Sequence, residues 1–389
     1  MSNFTHKSVV VEIVEMKPAI KNRKLHLFNP ENDVCLGLGN KSYNMPHMVR
    51  QLHESGAVLP LWWADADDKV YAPGVSKEWL DAMKSKLPLE AQLLDGNNGA
   101  VGYAGMPWGW SHDAKKQLIS TGCDVISDDR IERIRMLSHR RTSIVILEKL
   151  RDVCVSVPAP LPKEVFTVEE ASGIVASYPL AYFKAPWSSS GRGVIAVNEM
   201  TEKDKLRIAS IIEKQGSIIA EKGLDKKRDF AMLLHADGGT VTFMGYSVFF
   251  NERGTAYGGN IVGSNKYLKE ILINEGASRA ELDAIEQELP LVLEEIIGES
   301  YSGYFGVDML LDEDNHIMPC IELNLRMTMG VVARIFHDRY MESNVHGVYT
   351  VTRGNVNMCA PVVRNGKLIG GDLALTPEGE FSFVVKVSQ

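Results

Sequence analysis

The stretch YFGVDMLLDEDNHIMPCIELNLRMTMG, from Tyr304 to Gly330, limits what this chain can fold into more than any other. Two apolar runs flank DEDN, whose Asp and Asn side chains favour turns by bonding their own backbone, so two antiparallel strands are predicted. Side chains alternate along a strand. Ile321, Leu323 and Leu325 therefore share one face, and Glu322, Asn324 and Arg326 share the other. Asp308 interrupts the first run, and the turn folds it back toward Glu322. Two carboxylates and an amide oxygen then converge, and hard oxygen donors of this kind suit Mg2+ held jointly with phosphates. The alternative for this face is a half-exposed strand whose polar side meets water.

A second stretch raises the same choice. In YFKAPWSSSGRGV, Tyr182 to Val194, a lysine closes a strand, and three serines and two glycines flank an arginine. Taken alone it is either a mobile Ser/Gly turn or a loop whose small residues let backbone N–H groups approach phosphate oxygens.

Ahead of both, strand and helix patterns alternate. KLHLFNP reads as a strand, MPHMVRQLHESGA as a helix, VLPLWWA as a second strand and SKEWLDAMKSKL as a second helix. Alternation of this kind predicts a parallel-sheet α/β unit. Ser111 is the expected N-cap of the next helix. From Asp128 the chain is basic and helical, with Ile131, Ile134 and Leu137 at every third position, until VPAPLP breaks it. RDFAMLLHA and TVTFMGYSVFF, separated by DGG, predict two antiparallel strands, and a further helix is expected near 277–297. The closing strands, VVRNGKLIGGDLALT and GEFSFVVKV, complete a sheet and suggest no chemistry.

Bulk properties exclude several classes. The 42 basic and 50 acidic residues leave a formal charge of -8, which gives no net pull toward nucleic acid or an anionic membrane. No apolar stretch approaches the roughly 18 residues needed to span a bilayer, so no membrane association is expected. The five cysteines are scattered without a CxxC pair, which predicts reduced thiols and a cytoplasmic location. There is no GxxxxGK[ST] loop, and GLG at Gly37 to Gly39 lacks the third glycine of a dinucleotide fingerprint.

Four separated segments, in order, resemble the ATP-grasp superfamily over residues 130–330. In SHRR, Arg140, with Arg141 as the second candidate, stands where that family often carries a phosphate-reaching lysine; arginine would keep the charge in a planar fork, and a solvated basic helix face is the alternative. Lys184 matches the lysine that touches the α and β phosphates, and the run Ser188, Ser189, Ser190, Gly191, Arg192, Gly193 matches the flexible lid. AEKGL is similar to the biotin carboxylase-like hinge, so Glu221, Lys222 and Leu224 match adenine-facing positions and Asp229 the ribose-facing one. Asp308, Glu322 and Asn324 match the metal ligands, and Arg326 the arginine after the ExN motif.

The resemblance implies an α/β and α+β architecture, an ATP-grasp fold preceded by a Rossmann-like parallel-sheet domain. It divides the chain into 1–127, a helical connector and lid-bearing unit over 128–222, and the metal-hairpin unit over 223–389. It also implies a ligase joining a small carboxylate to an amine or other nucleophile through an acyl phosphate. ATP and Mg2+, or Mn2+ in its place, would be the cofactors, ADP and phosphate the products. Lys184, Arg192 and Arg326 would act in catalysis, and a homodimer is compatible with this reading. A small-molecule kinase and a nucleotide-binding protein without turnover are the other readings. LFNPEND sets Asn29, Glu31, Asn32 and Asp33 at a strand end, where open α/β sheets bind ligands. These residues, with Tyr257 and Asn260 of TAYGGN, are the substrate candidates; capping and turn roles are the alternative.

Overall fold

The computed structural model of the chain describes residues 23–153, 155–188, 193–252 and 256–387. Four short strands, β1 (Lys24–Leu27), β2 (Lys69–Tyr71), β3 (Gln92–Leu94) and β4 (Ala104–Pro107), form a parallel sheet in the order β3-β2-β1-β4. Helices α1 (Asn32–Leu38), α2 (His47–Gly56), α3 (Lys77–Lys84) and α4 (His112–Ser120) accompany it. The Ser111 hydroxyl caps α4 by accepting from the Ala114 N–H at 3.2 Å. VLPLWWA departs from the expected strand: Leu59–Trp62 is a single 3-10 turn with Pro60 in its first positions. A short, wholly buried apolar run carries no period that separates strand from helix, and proline suits a helical start.

The basic connector folds as two helices, α5 (Asp128–Leu137) and α6 (Arg141–Asp152). The residues between them turn inward, burying His139 and Arg140. A second sheet follows, built from β5 (Lys163–Val165), β6 (Ala181–Lys184), β7 (Val194–Val197) and β8 (Ile218–Lys222). It is antiparallel in the order β5-β8-β6-β7. With α7 (Val168–Val175) and α8 (Glu202–Gln215) it encloses a separate small core around Phe183, Ile195, Ile208 and Ile218.

The largest sheet contains β9 (Lys226–Asp237), β10 (Thr240–Glu252), β11 (Ala256–Val262), β12 (Gly303–Asp312), β13 (Ile317–Asn324), β14 (Gly347–Arg353), β15 (Val362–Arg364), β16 (Lys367–Ala374) and β17 (Phe381–Val387). It runs β13-β12-β9-β10-β11-β14-β17-β16-β15. Pro319 lies on β13, an edge strand, where its missing N–H breaks no interior ladder. Helices α9 (Asn265–Asn274) and α10 (Arg279–Ile297) pack on this sheet, and α11 (Met329–Tyr340) follows the hairpin.

The core is continuous between the first sheet and the largest one. Leu25 and Leu27 of β1 pack in one cluster with Ile146 and Leu147 of α6 and with Phe230, Met232 and Phe305 of the large sheet. A second cluster joins Phe28, Trp62 and Trp108 to Phe336 of α11 and Phe383 of β17. Among the described residues no helix is long and apolar enough to cross a membrane.

Candidate active site

The predicted hairpin forms, and its register places Asp308 opposite Glu322 and Gly306 opposite Asn324. The register then shifts between Asp308 and Leu310, where Pro319, Cys320 and Ile321 of β13 bulge against the single residue Met309. On the other side of β12, Asp308 pairs with Ala231 and Leu310 with Asp229. Since paired residues share a face, Asp229 lies on the same side of the sheet as Asp308 and Glu322. Burial and the nearby Glu322 carboxylate push the Asp308 pKa up to about 7, against the opposing pull of Arg326 and the Asn324 amide. A site that crowds like charges in this way is relieved by a divalent cation.

The polar groups around this cluster are hydrogen-bonded to one another. The Asn324 Nδ2 donates to Asp308 Oδ2 at 3.0 Å, and Arg326 Nη2 donates to Asn324 Oδ1 at 2.8 Å. Arg326 Nε also reaches both oxygens of Asp33 at 2.8 and 2.9 Å. Burial opposes the Arg326 charge, but Asp33, Glu322 and Asp308 together outweigh it, and the pKa is raised. Arg140 Nη2 donates to both Glu322 oxygens at 2.9 and 2.8 Å. Its Nη1 donates to the Ala185 carbonyl at 2.8 Å and to Ser188 Oγ at 2.7 Å. One buried arginine thus joins the start of the serine loop to a predicted metal ligand. Its Nε is buried with no hydrogen-bond partner, the kind of orphaned donor that an incoming anion could satisfy.

The ends of the loop are pinned. Ala185 N–H donates to the Gly193 carbonyl at 2.8 Å, and Arg140 N–H to the Pro186 carbonyl at 3.2 Å. Trp187 Nε1 donates to the Arg135 carbonyl at 2.9 Å, with the Arg135 guanidinium 4.1 Å above the indole. A Cβ on Gly193 would fall 2.5 Å from the Ser188 side chain, so the loop can close only on glycine there. Ser189, Ser190, Gly191 and Arg192 lie outside the described residues.

Two adjoining cavities share Asp229 and Ile321, and this cluster lines the larger of them. One, of about 260 Å3, is walled by Pro160, Val194, Leu224, Leu310, Met318 and Ile321, with Lys184, Glu221, Lys222 and Asp229 on its border. Lys184 is ion-paired with Glu221 across β6 and β8. Asp229 accepts from Lys226 Nζ at 2.6 Å and from Asn251 Nδ2 at 2.9 Å. Apolar walls interspersed with charged groups suit a nucleobase and its sugar, and the three oxygen donors on the neighbouring cavity suit Mg2+.

The other cavity, of about 500 Å3, reaches from Arg140, Ser188, Asp308, Glu322, Asn324 and Arg326 to Tyr257 and Asn260. TAYGGN is no simple turn from Ala256 onward: it forms β11, and Gly258 is skipped in the pairing of β11 with β10. That bulge brings Tyr257 and Asn260 to the cavity, where the Tyr257 hydroxyl donates to Asn260 Oδ1 and Asn260 Nδ2 donates to Ser247 Oγ at 2.6 Å. Val351 of β14 and Phe381 of β17 also line it, so the C-terminal strands, expected to carry no chemistry, build part of the wall. Neither residue carries a reactive group, and only folding back of the chain brings them there.

The strand-end candidates are engaged with protein groups. Asn29 Nδ2 donates to the Gly109 carbonyl at 2.8 Å and its Oδ1 accepts from Gly109 N–H at 3.2 Å. Asn32 packs against the same glycine, where a Cβ would fall 2.4 Å from its amide. The Glu31 carboxylate lies 3.2 Å from His53 Nδ1. Asn251 and Ser247 were missed in the sequence because an isolated Asn or Ser on a long strand carries no signal until its neighbours are known.

No family model matches the chain, and no curated protein matches it. Among solved structures, it is similar to a Campylobacter jejuni biotin carboxylase in complex with β-γ-ATP: TM-score 0.53, 12% identity, covering 94% of this chain and 87% of that one. It is equally similar to the biotin carboxylase domain of the 2-oxoglutarate carboxylase from Hydrogenobacter thermophilus, solved with MgADP and bicarbonate. That likeness has TM-score 0.53 and 13% identity, covering 94% of this chain and 86% of that one. With connector, loop, hinge and hairpin arranged as described, these likenesses show that the chain has the ATP-grasp fold.

Proposed function

We propose that this protein is an ATP- and Mg2+-dependent ligase that joins a small carboxylate to an amine or other nucleophile and releases ADP and phosphate. The observation that carries the reading is the convergence of Asp308, Glu322 and Asn324 on the wall of the larger cavity, which shares Asp229 and Ile321 with the smaller one. When bound, Mg-ATP supplies the γ-phosphoryl group that activates the carboxylate as an acyl phosphate. The smaller cavity would hold the base between Leu224, Met318 and Ile321, with Glu221 and Lys222 at its edge and Asp229 by the sugar. Lys184 and Arg140, now paired with Glu221 and Glu322, would turn toward the phosphates and offset the repulsion between two anions. The larger cavity would take the carboxylate and its acceptor, with Tyr257 and Asn260 as hydrogen-bonding groups. Asn29, Glu31 and Asn32 would shape the rim of that cavity rather than touch the substrate.

The solved neighbours support this reading, since one was crystallised with β-γ-ATP and the other with MgADP and bicarbonate. The same reading divides the chain into 1–127, 128–222 and 223–389. The separate core around Phe183 and Ile208 would let the lid-bearing sheet close over the nucleotide as a unit.

The test is to incubate the protein with ATP, Mg2+ and pools of small carboxylates and amines, following ADP and phosphate separately. Ligation releases both, only when acid and nucleophile are present together. ADP accompanied by a phosphorylated product and no free phosphate identifies a kinase instead. Silence across broad pools, with ATP still bound, points to a nucleotide-binding protein without turnover.

A further inference from the structure

Asp33 and Arg326 are 293 residues apart in sequence and form an ion pair, with Asp33 Oδ2 2.7 Å from Arg326 Nη2. We propose that Asp33 is a positioning residue for the metal hairpin: by holding the Arg326 guanidinium it aims the Asn324 amide oxygen at the metal. This rests on reading Asp308, Glu322 and Asn324 as metal ligands.

The four side chains form a directed chain. Asp33 fixes Nε and Nη2 of Arg326, Nη2 donates to Asn324 Oδ1 at 2.8 Å, and Asn324 Nδ2 donates to Asp308 Oδ2 at 3.0 Å. A primary amide can sit either way round. The guanidinium can only donate, so the Asn324 oxygen must face Arg326, which leaves the amide nitrogen to donate to Asp308. The remaining lone pair of that oxygen is left for a cation. Arg326 Nη1 donates to the Met327 carbonyl at 3.2 Å, so most of its N–H groups serve this geometry.

The support on the other side is equally anchored. Asp33 stands on α1, whose Leu36 carbonyl accepts from Arg135 Nε at 2.7 Å and whose Gly37 packs against Trp187. Asn29 and Asn32, just before it, are locked against Gly109. Met327 N–H donates to the Trp108 carbonyl at 2.8 Å, fixing the end of the hairpin to the turn that carries Gly109. LFNPEND is thereby a bracket between the parallel sheet and the hairpin, with Asp33 as its contact. Groups that orient metal ligands typically contribute about 10–100-fold to metal affinity.

The experiment titrates Mg2+ into the full-length protein with a non-hydrolysable ATP analogue, by calorimetry. Asp33→Asn should raise the Mg2+ concentration for half-maximal analogue binding about tenfold or more, and leave analogue binding without Mg2+ unchanged. Asp33→Glu, which keeps the charge, should lose less, and it carries the test if the Asn variant does not fold. The double variant Asp33→Asn with Arg326→Gln should bind Mg2+ no more weakly than Arg326→Gln alone, because Asp33 acts only through Arg326. An unchanged Mg2+ dependence in both Asp33 variants, or effects that simply add, overturns the inference while leaving the metal site standing. Wild-type protein without any Mg2+-dependent analogue binding overturns the metal reading and this inference together.

Discussion

Asp308 illustrates the conflict between stability and function at single-residue scale. It sits in a half-buried cluster of acids beside Glu322, so its ionised form is costly without a neutralising cation. Asp308→Asn should weaken Mg2+-dependent nucleotide binding by roughly 100-fold and leave the ligand-free unfolding midpoint unchanged or higher. Nucleotide binding at normal strength in that variant would show that the metal lies elsewhere. His139 offers a pH-dependent counterpart. Its Nδ1 accepts from the Arg141 N–H at 3.0 Å, and its ring packs edge-on against Trp187. Burial first, and then Arg141, hold its pKa down at about 4. The folded value lies below the unfolded one, so its contribution to stability is present above about 6.5 and is lost as pH falls toward 4. The span corresponds to on the order of 3 kcal/mol. His139→Gln should flatten the decline of stability between pH 6.5 and 4.5, measured as unfolding midpoint against pH.

At the scale of elements, the loop and the hairpin depend on close approaches as much as on polar groups. Gly193 closes the loop against Ser188, whose hydroxyl accepts from Arg140. Gly193→Ala would push Ser188 off that donor and spread the loop ends. Nucleotide affinity should fall about tenfold while the unfolding free energy changes by no more than about 1–2 kcal/mol, because the core under this sheet is untouched. Equal losses in both measurements would mean that the loop is only structural. Much of this scale was legible from sequence: the hairpin followed from DEDN and alternation, and the Ser111 cap from its side chain. The bulge that swings Tyr257 and Asn260 into one cavity was not. It arises from an extra residue opposite β10, and strand pairing cannot be read from one strand.

For the whole molecule, the decisive feature is the apolar seam between the first parallel sheet and the C-terminal strands. Trp62 packs on Phe336 and Tyr340, and its Nε1 donates to the Leu375 carbonyl at 2.8 Å. Phe28 sits edge-on to Trp108 and Phe383. Trp62→Ala should cost about 3–5 kcal/mol. It should also lower the melting of the parallel sheet and the C-terminal strands together in one calorimetric transition. Two separated transitions would show that these parts fold independently.

Residue types and their spacing alone determined the helices with clear periods, the antiparallel hairpin, and the acids and amide on one face of it. These are local properties, set by alternation along a strand, by caps and by turn chemistry within a few residues. Which charge meets which was decided only by the tertiary structure. Arg140 lies on Glu322 and Ser188, Asp33 on Arg326, and Phe381 on the wall of a cavity whose polar groups stand far from it in the chain. Ion pairs and cavity walls depend on distances through space, and a folded chain sets those by closing large loops that leave no periodic trace in its sequence.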